Sequence, residues 1–182
     1  MKKLLAMLFL VLAGCASSGP YNVSSDGADT RLMLRGFDPV AYFTQGKHLP
    51  GKADVKTEYD GVTYRFLNEE NKAAFLKEPG KYMPQYGGFC SNGIVYGIPW
   101  GGDADVWKII DGKLYIFGGE TSRNYFVMDE KKNLALADQY WNSEVKGSNA
   151  FTQRYYRLAW RVPHYKTGAE LAAEWKQRQD GK

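Results

Sequence analysis

Two stretches of this chain repeat one plan, and that plan limits what it can fold into. Val55-Lys56-Thr57-Glu58-Tyr59 and Val62-Thr63-Tyr64-Arg65-Phe66 alternate on either side of Asp60-Gly61. Residues 106–110 and 113–117 flank Asp111-Gly112 in the same way. A two-residue Asp-Gly loop between alternating runs predicts a β-hairpin, because a type I′ turn needs positive φ at both central positions. Helix signals lie between and after the hairpins. Asp38 before Pro39 suits a helix start with proline in the first turn. Asn68 can cap residues 69–77, which carry Glu69 and Glu70 first and are stopped by Pro79-Gly80. Residues 130–141 place Leu134, Ala137 and Trp141 on one stripe. Thr167-Gly168-Ala169-Glu170 reads as a capping box before Leu171 and Trp175. The expected fold class is α+β: small antiparallel hairpins sharing one core with several helices, and a C-terminal helical extension outside it.

The first residues read as an address. Lys2 and Lys3 precede a short apolar run over residues 4–12, then Ala13, Gly14 and Cys15. A basic start, an apolar run too short to span a bilayer and small residues before the cut mark a secretory signal over residues 1–14. Leu12-Ala13-Gly14-Cys15 resembles the bacterial lipobox, which implies cleavage before Cys15, a diacylglycerol on its thiol and acylation of the new amine. Ala16, rather than Asp, follows the cysteine; in Gram-negative lipoproteins this resembles release to the outer membrane, facing the periplasm. Residues 15–30 are rich in Ser, Gly, Asp and Asn and are expected to be a flexible tether. Residues 31–145 are the expected domain and 146–182 an addition.

Charge and cysteine count narrow the chemistry. The formal charge of +4 falls to +2 without Lys2 and Lys3, too little for a nucleic-acid footprint. With Cys15 carrying lipid, Cys90 is the one remaining thiol, so an internal disulfide is excluded. A lone thiol in an oxidising compartment is buried, ligated, paired between chains or reactive. No Cys-x-x-Cys is present, so thiol chemistry would need an external partner. Cys90 lies in a run with Gly87, Gly88, Gly93, Gly97, Gly101 and Gly102, interleaved with Tyr86, Phe89, Tyr96 and Trp100. Glycine backbone there can form an anion-favouring nest and the rings can line a pocket. A long connection pinned by its rings explains the same residues without a ligand.

The order of several segments resembles the YHS domain family. Gly36-Phe37-Asp38-Pro39-Val40-Ala41-Tyr42-Phe43, Tyr59-Asp60-Gly61-Val62-Thr63-Tyr64-Arg65-Phe66, Asn71-Lys72-Ala73-Ala74-Phe75 and Pro79-Gly80-Lys81-Tyr82 carry the resemblance. Pro84-Gln85-Tyr86-Gly87-Gly88-Phe89-Cys90 and Trp107-Lys108-Ile109-Ile110-Asp111-Gly112-Lys113-Leu114-Tyr115 are similar to its exported, longer branch. The likeness runs over about residues 32–145 and the branch includes selenoproteins, which implies that sulfur or selenium chemistry matters at Cys90. The metal-associated branch carries cysteines where this chain has Ala41, Leu67 and Asn71. None of these offers a thiolate, so soft-metal binding does not carry over.

Three functions remain in view. The first is a non-enzymatic envelope module with a ligand pocket around Asp38, Tyr42, Tyr86, Gly87, Gly88, Cys90 and Trp100. A carboxylate at Asp38 could serve as a base, although helix capping explains the same residue without any substrate and is the favoured reading. The second is a thiol-redox or copper-handling protein using Cys90, with His48, Met33 or Met83 as soft co-ligands. No pair of histidines has zinc spacing. The third is a scaffold docking a protein or lipid through the C-terminal segment, where Phe151, Tyr155, Leu158 and Val162 fall at helical spacing beside Arg154, Arg157 and Arg161. Such a helix either lies on an anionic surface or packs its apolar side inward and leaves its arginines in water.

Overall fold

The computed structural model describes residues 20–181. Residues 1–14, read above as a signal, and Cys15 lie outside the described residues. Six strands and eight α-helices follow in the order β1 (Val23–Asp26), β2 (Asp29–Met33), α1 (Ala41–Thr44), β3 (Lys52–Tyr59), β4 (Val62–Phe66), α2 (Glu69–Lys77), α3 (Pro79–Tyr82), α4 (Ser91–Ile94), β5 (Asp103–Ile110), β6 (Lys113–Phe117), α5 (Glu120–Met128), α6 (Glu130–Tyr140), α7 (Ala150–Ala159) and α8 (Gly168–Asp180) among the described residues. The fold is α+β. One sheet has the order β1-β2-β4-β3; the second is the β5–β6 hairpin.

Both expected hairpins form, with left-handed Asp-Gly pairs at their tips: φ is 51° and 70° at Asp60 and Gly61, and 49° and 72° at Asp111 and Gly112. β2 joins the first sheet parallel to β4, with Leu32 opposite Thr63, which the hairpin pattern alone does not specify. Local caps also hold. Asn68 accepts from Asn71 N–H at 2.8 Å, and Thr167 with Glu170 forms the full capping box. α1 begins two residues beyond Pro39, with Asp38 accepting from the N–H groups of Val40 and Ala41 at its entry.

Within the described part of the stretch read as a tether, β1 and the start of β2 form a third hairpin. Ion pairs rather than apolar alternation order it. Arg65, in the middle of β4, is only 8% exposed. It pairs with Asp26 at 2.5 Å and with Asp29 at 2.7 Å, and Asp29 also takes Lys56 at 2.5 Å. Lys56 and Arg65 hold the Asp29 carboxyl below its ordinary range. A buried guanidinium without such partners would be costly.

Two hydrophobic clusters replace the single core expected. One gathers Met33, Val40, Tyr42, Tyr64, Phe66, Phe75, Leu114 and Ile116; the other gathers Tyr86, Ile94, Ile98, Tyr115, Phe117, Phe126, Ala137 and Val145. The C-terminal segment belongs to the second, through Val162 and partly buried Leu158 and Tyr165. α7 reverses the packing expected of an amphipathic helix: its arginine side meets the protein and its rings face water. Among the described residues no helix is long and apolar enough to cross a membrane.

Asp38 is fully buried and its carboxylate is the most heavily used acceptor at the start of the fold. It receives Val40 N–H at 2.8 Å, Leu67 N–H at 2.8 Å and the Asn71 amide at 2.6 Å. Asp38→Ala leaves these donors unpaired and should cost about 2–4 kcal/mol. Urea unfolding should show a lower midpoint with an unchanged slope; a midpoint equal to wild type would remove Asp38 as a structural hub.

Candidate functional site: a cavity beside Cys90

The site begins with β6. Ile116 pairs with Cys90 through a parallel bridge, and Ser91 Oγ donates to the Ile116 carbonyl at 3.0 Å. Cys90 N–H donates to the Trp100 carbonyl at 2.9 Å, which folds the 90–100 loop back on itself. Gly93 permits that fold: a Cβ there would lie 2.6 Å from the Ile98 carbonyl oxygen and 2.9 Å from the Trp100 ring. β6 then runs into Gly118-Gly119 and directly into α5. The thiol therefore rests beside the first turn of α5, with Cys90 Sγ 3.0 Å from Ser122 Oγ.

Cys90 is 4% exposed and makes no disulfide. Cys90 is part of the wall of a cavity of about 420 Å³. Tyr96, Trp100 and Tyr125 supply aromatic wall, Ile98 and Leu171 aliphatic wall, and Ser122, Asn92 and Lys166 polar groups. Gly119 is the residue before α5 and brings no capping side chain. The positive end of the helix dipole, about half an elementary charge, therefore points at this end of the cavity. Burial pushes the Tyr96 phenol up to about 12, so it stays protonated near neutral pH. Lys166 is held at 2.5 Å by Glu174. Chemically, the cavity offers a flat apolar space, a thiol and a mildly positive, hydrogen-bonding end.

The expected site residues do not all converge. Cys90 and Trp100 share the cavity wall. Asp38 and Tyr42 belong to the other cluster: Asp38 is spent on the donors described above, and Tyr42 donates to the Ala104 carbonyl at 2.9 Å while packing edge-on to Trp107. Tyr86 is buried and donates to Asp138 at 2.9 Å. Gly87 and Gly88 hold the N-terminal segment: Asn22 N–H donates to the Gly87 carbonyl at 2.9 Å and its side-chain amide to the Gly88 carbonyl at 3.1 Å. These five residues shape the fold around the cavity without lining it. The proposed copper ligands are also separated. His48 is exposed and packs edge-on to Phe37, and neither it nor Met33 or Met83 reaches the cavity wall. Among the described residues no group of three or more His, Cys, Asp or Glu side chains is placed to hold a metal.

Sequence reasoning missed Ser122, Tyr125, Tyr165, Lys166 and Leu171. Gly118-Gly119 straight after an alternating strand was the available signal for a strand-to-helix turn. α5 itself has no strong apolar stripe. The last three residues come from the C-terminal addition, which therefore completes the cavity rather than standing apart from it.

Fold and site together define an α+β domain with a ring-walled cavity over a buried thiol. Residues 40–86 match the family model of the YHS domain, so a YHS domain is present in this chain. That match spans α1 to the entrance of the 85–88 turn, less than the 32–145 resemblance, and every residue of the cavity wall lies C-terminal to it. No match was found among curated proteins or among solved structures.

A thiol edging a cavity but shielded from bulk solvent should discriminate reagents by size. Methyl methanethiosulfonate should modify Cys90 in the folded protein, whereas a polymer-linked maleimide should react only after unfolding. Equal rates for both, followed by mass spectrometry, would show a thiol open to solvent.

Proposed function

We propose that this YHS-domain protein is a lipid-anchored envelope protein of the exported branch, and that it binds a small ligand in the Cys90 cavity without transforming it. The observation that carries the reading is the cavity itself, large enough for a small molecule, mostly apolar and with a few convergent polar groups. The ligand class that fits has a flat apolar body, to lie against Tyr96, Trp100 and Tyr125, and an acceptor or anionic group to meet the first turn of α5. The anchor is the diacylated Cys15, each buried methylene adding about 0.8 kcal/mol of membrane affinity. Ala16 after it favours the outer membrane. A second reading, in which the Cys90 thiolate attacks an external disulfide and releases one of its sulfurs as a thiol, is favoured by the place of Cys90 in the cavity wall.

A panel of small aromatic acids tests the pocket by thermal unfolding. A true ligand at a hundred times its Kd adds about 2.7 kcal/mol of stability, a rise of roughly 5–11 °C for a domain of this size. Leu171→Trp, which fills one wall, should abolish that rise. The reading fails if no compound stabilises the wild-type protein, or if Leu171→Trp responds equally.

The anchor has its own test. Wild-type protein expressed in a bacterial host should incorporate radiolabelled palmitate and fractionate with the outer membrane, while Cys15→Ser should do neither. Unlabelled wild-type protein in the soluble fraction would overturn the anchor.

A further inference from the structure

α7 turns its rings to water. Phe151, Tyr155, Tyr156 and Trp160 are 62%, 59%, 52% and 68% exposed. A helix stabilised by packing normally buries such residues. The opposite side of α7 packs Ala150 and Leu158 on the second cluster and is otherwise held by polar contacts. Arg157 pairs with Glu144 and donates to it through Nε at 2.8 Å. Gln153 donates to the Gly97 carbonyl at 3.2 Å, and Arg154 to the Pro99 carbonyl at 3.0 Å with its guanidinium over the Trp100 ring. These bonds fix the helix with its rings outward, where Phe151 packs on Tyr155 and Tyr156 meets the Arg157 guanidinium.

The sequence that carries this helix is basic, although Arg157 and Lys166 are paired with Glu144 and Glu174. From Lys146 to Ala169 the sequence carries Lys146, Arg154, Arg157, Arg161 and Lys166 and no Asp or Glu. Lys146 and Arg161 are exposed at the two ends of α7. Tyrosine and tryptophan, more than aliphatic residues, settle at the level of lipid headgroups, where one end of the ring is apolar and the other wet.

The start of the described chain lies near the turn that carries α7. Pro20 lies against the 85–88 turn: a Cβ on Gly87 would sit 2.4 Å from the Pro20 carbonyl oxygen and 3.3 Å from the Trp141 ring. Trp141 opens the π-helical turn Trp141–Val145 on which α7 packs. Five residues from Cys15 to Pro20 span at most about 18 Å. A lipid on Cys15 would therefore keep the Trp141 side of the molecule close to the bilayer.

We propose that the face of α7 formed by Phe151, Tyr155, Tyr156 and Trp160 lies in the interface of an anionic lipid bilayer, with Lys146 and Arg161 at its rim meeting phosphates. The inference leans on the anchor proposed above for proximity, but the rings and the charge stand without it. Amphipathic helices of this composition bind membranes through buried apolar area plus attraction to anionic lipid.

The test uses the full chain reconstituted with vesicles of neutral and anionic lipid whose acyl chains are brominated. Residues 1–19 contain no tryptophan, so bromine quenching reports only on the folded part. Part of the fluorescence should be quenched, and Trp160→Phe should lose that quenched part while the protein stays on the vesicles. Quenching should fall when the anionic lipid is omitted or salt is raised. Vesicle-bound protein whose Trp160 is unquenched would overturn the docking and leave the anchor standing. Quenching of the same size in purely neutral vesicles would overturn the anionic selection. A dimer in solution that Trp160→Phe dissolves would assign the face to a second copy and overturn the membrane proposal. Loss of vesicle association in Cys15→Ser, with Trp160 still quenched in wild type, would support both readings separately.

Discussion

Strand β6 holds the molecule together because it is buried on both sides. Successive side chains on a strand point to opposite faces. Leu114 and Ile116 enter the cluster under the four-stranded sheet, whereas Tyr115 and Phe117 enter the cluster under the helices. All four are less than 5% exposed. Its partner β5 serves both sides as well, aided by a register shift between Asp103 and Trp107 that lets Ala104 and Trp107 face the same cluster. Without this double burial the two halves would be separate small domains, each short of apolar area. The cavity hangs from the same strand, since β6 fixes Cys90 and Ser91 at Ile116 and leads straight into the glycine pair that aims α5.

The first half solves a different problem. The resemblance to the metal-associated YHS branch implies thiolates at the places of Ala41, Leu67 and Asn71. In this chain those three residues meet at one carboxylate: Ala41 and Leu67 through their backbone N–H groups and Asn71 through its side chain, all donating to Asp38. A buried carboxylate taking several N–H donors ties the entrance of α1, the end of β4 and the start of α2 together. Hydrogen bonds thus cross-link the segments where thiolates would converge, and aromatic packing of Phe75 against Tyr64 and Phe66 fills the space beside them.

What the sequence discloses is what neighbours in the chain decide. The Asp-Gly turns, the Asn68 cap and the Thr167–Glu170 box depend on residues two or three positions apart, and each forms where its pattern stands. The β1–β2 hairpin does not announce itself, because its order comes from Arg65, far along the chain, seeking Asp26 and Asp29. The inverted seating of α7 has the same origin: Glu144 and the carbonyls of Gly97 and Pro99 attract its polar side before its rings can compete. At the site, composition pointed to Cys90 and Trp100 but also to Tyr42, Tyr86 and Asp38, whose polar atoms turn out to be satisfied inside the fold.

The cavity and the aromatic helix are joined through the segment between α7 and α8. Val162 is buried, and His164 stacks with Tyr96 while its Nε2 lies 2.9 Å from the Val95 carbonyl oxygen. Tyr165 crosses Tyr96 edge-on as a cavity wall and carries the Arg161 guanidinium over its outer face. One short stretch of chain therefore touches the thiol cavity on its inner side and the exposed basic rim of α7 on its outer side. The YHS-matched segment contributes neither surface. Whatever the cavity accommodates is then set by residues 90–182, and two proteins alike over residues 40–86 alone have no physical reason to share it.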